Sequence, residues 1–453
     1  MMALLLRPIP ALLLAVICIG GWITSGSAAG IDVQSVRSPG GIEAWLVEDH
    51  NVPVVAVTLA FKGGAAADPE GKAGLANMVS GLLDEGAGEL DSQAFQRRLA
   101  DLSISLGFDA GADSFSGSLY TLKENLDEAV DLMALALTEP RFDEDAVERI
   151  RDQILIGIAR DEADPGRTAT RTWLRLVFPD HPYGSPVQGT AESVGRIGVD
   201  DLRGFVERRL ARDNLIVGVA GDITPEELEP LLDRAFGKLR TEAEGSEVPD
   251  AILANAGETV VVERPIPQSI VVLGGRGVSR KDPDWYAASL LNYVLGGGSF
   301  SSRLMQEVRE KRGLAYSVST GLHPLDHAPL LIGQVATQND RVADSIEIIR
   351  AEWARIAEEG LSEAELQDAK TYLTGSFPLS LDSTRRVAAV LVSVQENELG
   401  IDYLQRRDEF FNEVTVEDTK RVAERLFDPA GLCFVIVGQP AGVTPTRPPP
   451  EAG

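Results

Sequence analysis

The sequence is poor in the side chains on which most hydrolytic enzymes depend. Its 453 residues include two cysteines and four histidines, and aromatic side chains make up 6% of the chain. It contains no Gly-x-Ser-x-Gly segment and no paired Cys/His motif, which excludes the familiar serine- and cysteine-nucleophile patterns. The aromatic residues are also too few and too scattered to predict a sugar-stacking groove.

Positive charge is scarce as well. Lys and Arg number 42 against 69 Asp and Glu, and the formal net charge is −27. Nucleic acids and anionic membrane surfaces are bound through basic patches, so this acidity argues against both as partners. Solubility is the simplest use of such a charge, and attraction of basic peptides is the more specific alternative.

Long apolar runs are confined to the N-terminus. There, Arg7 precedes a run of apolar residues that ends in the small residues 27–29, which is the pattern of a secretory signal peptide. We therefore expect residues 1–29 to be cleaved and the mature chain to lie in the periplasm without a membrane span. An uncleaved N-terminal anchor is the alternative, although the apolar stretch 11–24 is short for a span.

Cleavage of the signal peptide would remove Cys18 and leave Cys433 as the single cysteine. The mature protein is therefore expected to have no internal disulfide. Cys433 lies in an apolar, strand-like run and is predicted to be a buried, unreactive thiol. A chain of this size can bury enough apolar surface to fold without disulfides.

Two pairs of segments indicate an internal duplication. Residues 198–222 align without gaps with residues 415–439, and both read as an amphipathic helix followed by a buried strand. Residues 126–154 and 342–370 both read as helix, short acidic turn and helix, in the same order along the chain. The sequence therefore predicts an α+β fold of two homologous halves, each a mixed or antiparallel sheet layered with helices on one side.

The same comparison sets the expected domain boundaries. The first domain is predicted to cover residues 30–240 and the second residues 258–440. Residues 241–257 are acidic and rich in small residues, which is typical of a linker. Residues 441–453 form a Pro-rich tail that we expect to be disordered.

Three segments carry a resemblance to a known family. They are residues 71–88 (GKAGLANMVSGLLDEGAG), residues 178–194 (FPDHPYGSPVQGTAESV) and residues 295–319 (LGGGSFSSRLMQEVREKRGLAYSVS). Together they resemble the pitrilysin/insulysin-type metallopeptidases (inverzincins), the family of the mitochondrial processing peptidase. The resemblance covers nearly the whole mature chain and implies that each half is a peptidase-like domain.

The zinc motif of that family is missing here. In the family, a helix with the frame G-x-A-H-x-x-E-H-M provides two His ligands of Zn²⁺ and a Glu that activates water. Gly71 and Ala73 match the frame, but the first His falls on Gly74, the Glu on Asn77 and the second His on Met78. These side chains do not replace the lost ones, because Gly has none, Asn is a poor base and Met suits soft metals.

The third metal ligand of the family is also lost. Its Glu falls on Gly157, or on Ile156 if the alignment slips by one residue. Nearby Asp152, Asp161 and Glu162 are interpreted as solvated charges on a helix face. The resemblance therefore implies a chain with no catalytic residue, no metal and no cofactor of its own, with zinc only in a partner subunit.

The resemblance implies a partner as well. Residues 83–88 and 370–404 resemble bacterial members that form heteromers, in which one chain keeps the zinc motif and the other lacks it. We therefore expect a zinc-bearing paralogous peptidase subunit as partner and peptides as substrates, with this chain completing the substrate chamber. The alternatives are a stand-alone periplasmic peptide-binding or scaffold protein and a hydrolase that uses unrecognised residues.

The second half supplies the candidate peptide-binding residues. The glycines are expected to form a structural turn, and the alternative is a loop that lets an extended peptide approach its backbone. No Gly-Lys-Ser/Thr follows these glycines, so a phosphate-binding loop is not expected. A Tyr and an Arg are included because family members supply such a pair from this half. The candidates are Gly296, Gly297, Gly298, Ser299, Tyr316 and Arg341.

The histidines are interpreted as structural. His181, in the second family-like segment, is predicted to be a loop residue. His323 and His327 have a spacing of four residues, but Pro324 follows the first of them. We therefore predict a connection between strands at this place and not a metal site.

Overall fold

The structure of the protein is a computed structural model that describes residues 31–245 and 247–451. The predicted signal peptide, residues 1–29, lies outside the described residues. Within the described ranges, no helix combines the length and the hydropathy needed to cross a membrane.

The first half is built around a six-stranded mixed sheet. Its strands are, in chain order, β1 (Gln34–Arg37), β2 (Glu43–Glu48), β3 (Val54–Lys62), β4 (Ser105–Ala110), β5 (Ser114–Leu122) and β6 (Leu215–Gly221). They lie in the order β1-β2-β6-β3-β5-β4, with β2 and β6 parallel and the other neighbours antiparallel. The central strand β3 is almost continuously apolar and buried, which is typical of a strand covered on both faces.

The helices of the first half follow from local sequence signals. For example, α5 begins at Pro165, whose fixed φ suits a first helical turn, and the Asp164 carboxylate accepts a hydrogen bond from the amide of Arg167. The helices are α1 (Leu75–Ser80), α2 (Ser92–Asp101), α3 (Leu126–Thr138), α4 (Glu144–Ala163), α5 (Pro165–Val177), α6 (Ala191–Gly195), α7 (Val199–Arg209) and α8 (Pro225–Phe236).

The second half has a five-stranded sheet. Its strands are β7 (Thr259–Glu263), β8 (Gln268–Arg276), β9 (Ala315–His323), β10 (Leu330–Gln338) and β11 (Cys433–Gly438), in the order β7-β11-β8-β10-β9. Its helices are α9 (Trp285–Asn292), α10 (Val342–Glu359), α11 (Glu363–Ser376), α12 (Thr384–Glu396), α13 (Tyr403–Glu413) and α14 (Val416–Leu426). Two π-helical segments, Tyr293–Gly297 and Met305–Glu310, follow α9.

The predicted fold class and the duplication are confirmed. The repeat of residues 198–222 is α7 and β6, and its copy in residues 415–439 is α14 and β11. β6 pairs parallel with β2 and antiparallel with β3, just as β11 pairs parallel with β7 and antiparallel with β8. The second pair of segments likewise forms α3–α4 and α10–α11. The copies therefore occupy equivalent positions in two similar sheets.

The helices, however, do not lie on one side of each sheet, as the sequence predicted. The second face of each sheet is covered by a helix from the other half: α5 packs on β8 and β11, and α12 packs on β3 and β6. Trp173 of α5 is fully buried, and its indole N–H donates to the carbonyl of Cys433 at 3.3 Å. Each half therefore depends on the other to cover apolar surface.

Two glycines allow these helices to approach the sheets closely. A Cβ on Gly218 of β6 would lie 2.5 Å from the carbonyl oxygen of Ala388 in α12, and a Cβ on Gly274 of β8 would lie 2.8 Å from the Trp173 ring. Gln395 of α12 adds a hydrogen bond from its side-chain amide to the carbonyl of Val217, at 3.0 Å. Side-chain packing and close contacts with the backbone thus hold the exchanged helices, α5 and α12, against the sheets.

The tail differs from the prediction in its described part, residues 441–451. The amide of Thr446 donates to the carbonyl of Thr259 at 2.9 Å, and the amide of Thr259 donates to the Thr446 hydroxyl at 2.8 Å. β7 is an edge strand with backbone groups free for pairing. The prediction of a disordered tail is wrong for this stretch, because the edge strand binds it.

Candidate functional site

The helix at the lost zinc motif is short and is held by a buried carboxylate. α1 has six residues, and Gly74 at its N-cap has φ +96°, in the left-handed region that favours glycine. The Asp68 carboxylate accepts hydrogen bonds from the amides of Gly74, at 3.1 Å, and of Ala76, at 3.2 Å. Asp68 therefore fixes the point at which the chain enters α1.

Asp68 is paired with a buried arginine. Arg209 Nη1 lies 3.0 Å from Asp68 Oδ1, and Arg209 Nη2 donates to the carbonyls of Gly63, at 2.6 Å, and Gly64, at 2.5 Å. Burial raises the pKa of the Asp68 carboxyl to about 6, although the Arg209 charge and the backbone amides oppose this. The pair ties α7 to the turn before α1. Neither residue was singled out from the sequence, which places them 141 positions apart.

The four degenerate motif positions have different surroundings. Gly74 is closed off, because a Cβ there would lie 2.7 Å from the carbonyl oxygen of Gln188. Met78 is fully buried in the core of the first half, whereas Asn77 is half-buried and lines a cavity. A Cβ on Gly157 would meet nothing within 4 Å. Across residues 31–245 and 247–451, no three His, Cys, Asp or Glu side chains are placed to hold a metal ion.

The cavity beside Asn77 has a polar, partly basic lining. It has a volume of about 300 Å³ and lies between α1, the α4–α5 corner and the segment 184–188. Asp161 lines it, and its carboxylate accepts a hydrogen bond from the Gln188 side-chain amide at 2.9 Å. Two arginines of α5, Arg167 and Arg171, line it as well. A basic cavity therefore lies beside Asn77, the position of the water-activating Glu in the resembling family, whereas Gly74, Met78 and Gly157 do not line it.

A larger, mostly apolar cleft adjoins this cavity. It has a volume of about 550 Å³ and lies between the two halves, with residues 65–73 and 182–187 on one side and His323, Leu325, Leu330 and Ile332 on the other. The cleft and the basic cavity have four lining residues in common, which are Thr170, Leu174, Pro186 and Val187. The two spaces therefore adjoin each other at these residues, and together they are called the depression.

His181, His323 and His327 belong to no group of three or more metal-ligating side chains within residues 31–245 and 247–451. His181 Nε2 lies 2.8 Å from the carbonyl of Pro249, and its Nδ1 accepts from the amide of Tyr183 at 3.2 Å, so these two contacts hold the ring in a loop. His323 ends β9 and lines the cleft, and the surrounding protein lowers its pKa by desolvation. His327 lies in the following connection, with Nδ1 3.1 Å from Asp250. The expected connection between strands is confirmed.

The glycine-rich segment is a tight turn, as the glycines predicted, and not the open loop that was the alternative. Gly296 and Gly297 end the π-helical segment, Gly296 is buried, and the amide of Gly298 donates to the carbonyl of Tyr293 at 2.7 Å. None of the three glycines has a positive φ, whereas Ser299 has φ +52°. The glycines serve close packing instead: a Cβ on Gly296 would lie 2.9 Å from the amide nitrogen of Thr320.

One of these glycines nevertheless reaches an open groove. Gly297 is exposed and lines a groove of about 390 Å³. The groove is otherwise lined by polar, basic and aromatic side chains, including Asn292, Tyr293, Arg280, Tyr403 and Arg407. Arg280 donates to the Tyr403 hydroxyl at 2.6 Å, so the basic and aromatic groups of the groove contact each other.

Tyr316 and Arg341 do not converge on the depression. Tyr316 is 80% exposed, and its ring lies 5.0 Å from the guanidinium of Arg309, which also covers the ring of exposed Phe300 at 4.6 Å. β9 separates Tyr316 from His323 by roughly 23 Å at about 3.3 Å per residue. Arg341 is exposed where α10 begins, beyond the same end of the sheet. Within one chain, these candidates are therefore remote from the lost metal site.

The fold and this site define a class of protein: a duplicated α+β chain with the frame of a zinc-peptidase helix and none of its metal-binding side chains. Two family models match it. "Insulinase (Peptidase family M16)" covers residues 44–191, and "Peptidase M16 inactive domain" covers residues 196–373. The chain belongs to peptidase family M16, and the predicted membership without the H-x-x-E-H side chains is confirmed.

Individual relatives agree with this membership. The chain is 30% identical to an uncharacterized zinc protease of Mycobacterium leprae over 89% of this chain and 91% of that one. It is 29% identical to a non-peptidase homologue of Helicobacter pylori over 73% and 77% of the two chains. The crystal structure of a peptidase M16 inactive domain from Pseudomonas fluorescens superposes with a TM-score of 0.83 at 27% identity, over 91% of this chain and all of that one.

Proposed function

We propose that the chain is a proteolytically inactive subunit of a periplasmic zinc peptidase. In this proposal a zinc-bearing paralogue of the same family provides the metal and the water-activating Glu. This chain binds peptide and forms the opposite wall of the substrate chamber. The observation that carries the proposal is the contact between Gly74 and Gln188, since a fold closed over its first ligand position has no use for a metal of its own.

Surface features of the second half support a role in peptide binding. The groove at Gly297 offers aromatic and guanidinium groups side by side. On another part of the surface, Phe300 and Tyr316 are exposed with Arg309 between their rings. Exposed aromatic and Arg side chains are enriched in protein interfaces. Because Tyr316 is remote from the depression of its own chain, we assign it to contact with the partner or with the partner's substrate.

Reconstitution with the zinc-bearing paralogue tests the proposal. We expect the two chains to co-purify, the partner to cleave peptides faster in the complex, and chelation to abolish the activity. Tyr316→Ala should reduce the stimulation about tenfold or more if it removes a central interface contact. A partner that is fully active alone would overturn the proposal.

Gly297→Val tests the groove separately. A Cβ at this position would lie 2.8 Å from the side-chain amide of Asn292, which is able to move, so we expect the fold to survive and the groove to narrow. Peptide binding by the complex should weaken. The matched control is Gly195→Val in α6, where a Cβ meets nothing within 4 Å. If the two variants bind peptide equally well, the assignment of the groove is wrong.

One observation favours the alternative function, a stand-alone peptide-binding or scaffold protein. The cleft of the depression is lined by residues from both halves of a single chain. Under this alternative, the chain alone should bind peptides and no zinc-bearing paralogue should co-purify from periplasmic extracts. Co-purification with the zinc-bearing paralogue therefore tests both the first function and this alternative.

A further inference from the structure

The two arginines of the basic cavity are placed to act together. Arg167 and Arg171 are four residues apart on α5, so their side chains leave the same face of the helix. The opposite face of α5 is anchored, because Trp173 and Leu176 are buried against the sheet of the second half. The two guanidinium groups are thus carried by a rigid element and both line the cavity.

Both guanidinium groups have free donors. In the described part of the chain, neither side chain takes part in an ion pair or a hydrogen bond, although acidic residues outnumber basic ones. One carboxylate, that of Asp161, lines the same cavity, and it is engaged by the Gln188 amide. The charged lining residues of this cavity alone therefore sum to +1 in a chain of net charge −27. The adjoining cleft adds the carboxylates of Asp68, which is paired with Arg209, and of Glu70. An anion is the ligand that this arrangement favours.

The adjoining cleft indicates which chemical group the ligand carries beside its anionic group. Beyond the shared residues Leu174, Pro186 and Val187, the lining of the cleft becomes mostly apolar, with Ala66, Leu330 and Ile332 among its residues. A small, strongly hydrated ion would make no favourable contact with the apolar cleft. In a carboxylate with an apolar side chain on the adjacent carbon, the carboxylate would lie in the basic cavity and the side chain in the apolar cleft.

We propose that this depression binds the C-terminal carboxylate of a peptide between Arg167 and Arg171, with the last side chain of the peptide in the apolar cleft. Guanidinium groups form strong, directional hydrogen bonds with carboxylates. The inference rests on the proposed function, because peptide hydrolysis by a zinc-bearing partner creates new C-terminal carboxylates. The site would then hold the new C-terminus that each cleavage by the partner creates.

Direct binding to the mature chain without a partner tests the site. The probe is a fluorescein-labelled hexapeptide of five Ala and a C-terminal Leu, compared as the free acid and as the C-terminal amide by fluorescence anisotropy. A third peptide carries Glu at its fifth position and ends in the amide. We expect the free acid to bind about tenfold or more tightly than the amide, the factor expected for charge-assisted hydrogen bonds.

Variants of the chain test whether Arg167 and Arg171 cause the preference for the free acid. Arg167→Gln with Arg171→Gln should abolish the preference for the free acid. Arg160→Gln is the matched control, because Arg160 is exposed on α4 and does not line the cavity. Arg171→Lys should keep part of the affinity, since it keeps the charge and loses the planar donor pair. The acid–amide comparison on the unmodified chain does not depend on the folding of any variant.

Several results would overturn the site. Equal affinity for acid and amide would do so, as would a preference that survives the double variant. Binding of the Glu-containing amide as tightly as the free acid would assign the arginines to acidic side chains. Competition by inorganic phosphate without an acid–amide preference would show a general anion site. If the free acid is preferred but the chain does not stimulate the paralogue, the carboxylate site is supported and the proposed function is wrong. If the chain stimulates the paralogue but shows no preference for the free acid, only the carboxylate site is wrong.

Discussion

Gly74 and Gln188 are packed so closely that no side chain fits between them. A Cβ on Gly74 would lie 2.7 Å from the Gln188 carbonyl oxygen, and the positive φ of Gly74 disfavours any other residue. The neighbouring contact is equally tight, because the Ser193 hydroxyl donates to the carbonyl of Ala73 at 2.7 Å. The segment that follows α5 has therefore closed over the first ligand position. The lost metal site is part of the packing of this fold.

Restoring a side chain at Gly74 should therefore destabilise the protein. We expect Gly74→Ala to lower the free energy of unfolding by about 2–4 kcal/mol, from the strained φ and the overlap with backbone atoms together. Gly157→Ala in α4 is the matched control. It should be neutral or stabilise by about 0.5–1 kcal/mol, because its Cβ enters open space and alanine favours the helix. Urea unfolding measures both values.

The same contact predicts the outcome of rebuilding the motif. The triple variant Gly74→His, Asn77→Glu, Met78→His should bind less than one zinc per chain by elemental analysis and should show no chelator-sensitive cleavage of peptides. Met78 is fully buried, so its replacement by His also removes core packing. Stoichiometric zinc in the triple variant, or in the unmodified chain, would contradict our assignment of the site.

The sequence was sufficient to predict the duplication and the lost ligand positions, because both depend on local patterns. Apolar periodicity identified α7–β6 and α14–β11, and the alignment of residues 71–79 located Gly74 and Met78. The sheet against which an amphipathic helix packs is determined by contacts between residues that are far apart in the sequence. Nothing in the periodicity of α5 or α12 indicates that each covers the sheet of the other half.

The residues of the proposed binding sites show the same limit. Arg167 and Arg171 have the spacing of an ordinary solvated helix face, and they become a pair in a cavity only when Gln188 and Asn77 are brought beside them. The glycines at 296–298 indicated a turn, but sequence could not show that Ser299 takes the positive φ. In both cases the missing information is the position of the neighbouring chain.

The exchange of α5 and α12 predicts that the halves cannot fold separately. Residues 30–240 alone would leave Ala56 and Ala220 uncovered, and residues 258–440 alone would leave Val272 and Val435 uncovered. Each half expressed alone should be insoluble or lack fixed tertiary packing by near-ultraviolet circular dichroism, while the co-expressed halves should form a 1:1 complex on size exclusion.

A protease site inserted after Gly245 is the control for this experiment. Gly245 is exposed, and a Cβ there meets nothing within 4 Å, so cleavage of the folded chain should leave both halves associated. If either half alone gives a stable, cooperatively unfolding monomer, then the exchanged helices contribute less to stability than their burial indicates.

The pair of Arg303 and Glu365 predicts a loss of stability in acid. Arg303 Nε and Nη2 donate to the two carboxylate oxygens of Glu365 at 2.7 and 2.8 Å. Partial burial alone would raise the pKa of Glu365, but the hydrogen bonds from Arg303 and Ser362 outweigh it and lower the pKa from 4.5 to about 2. The ionised form is therefore the one that the fold favours.

Because the folded-state pKa lies below the unfolded value, the stabilisation is present above about pH 5 and is lost as the pH falls through 4.5 towards 2. At about 1.4 kcal/mol per pH unit, the full effect is roughly 3 kcal/mol. Glu365→Gln should therefore lower the free energy of unfolding at pH 7, and its difference from the unmodified chain should fall by about half between pH 7 and pH 3. The matched control Glu363→Gln, exposed in the same first turn of α11, should change it by a few tenths of a kcal/mol at most. A difference between the Glu365→Gln variant and the unmodified chain that does not shrink between pH 6 and pH 3 would show that Arg303 and Glu365 stabilise the fold by packing and not by charge.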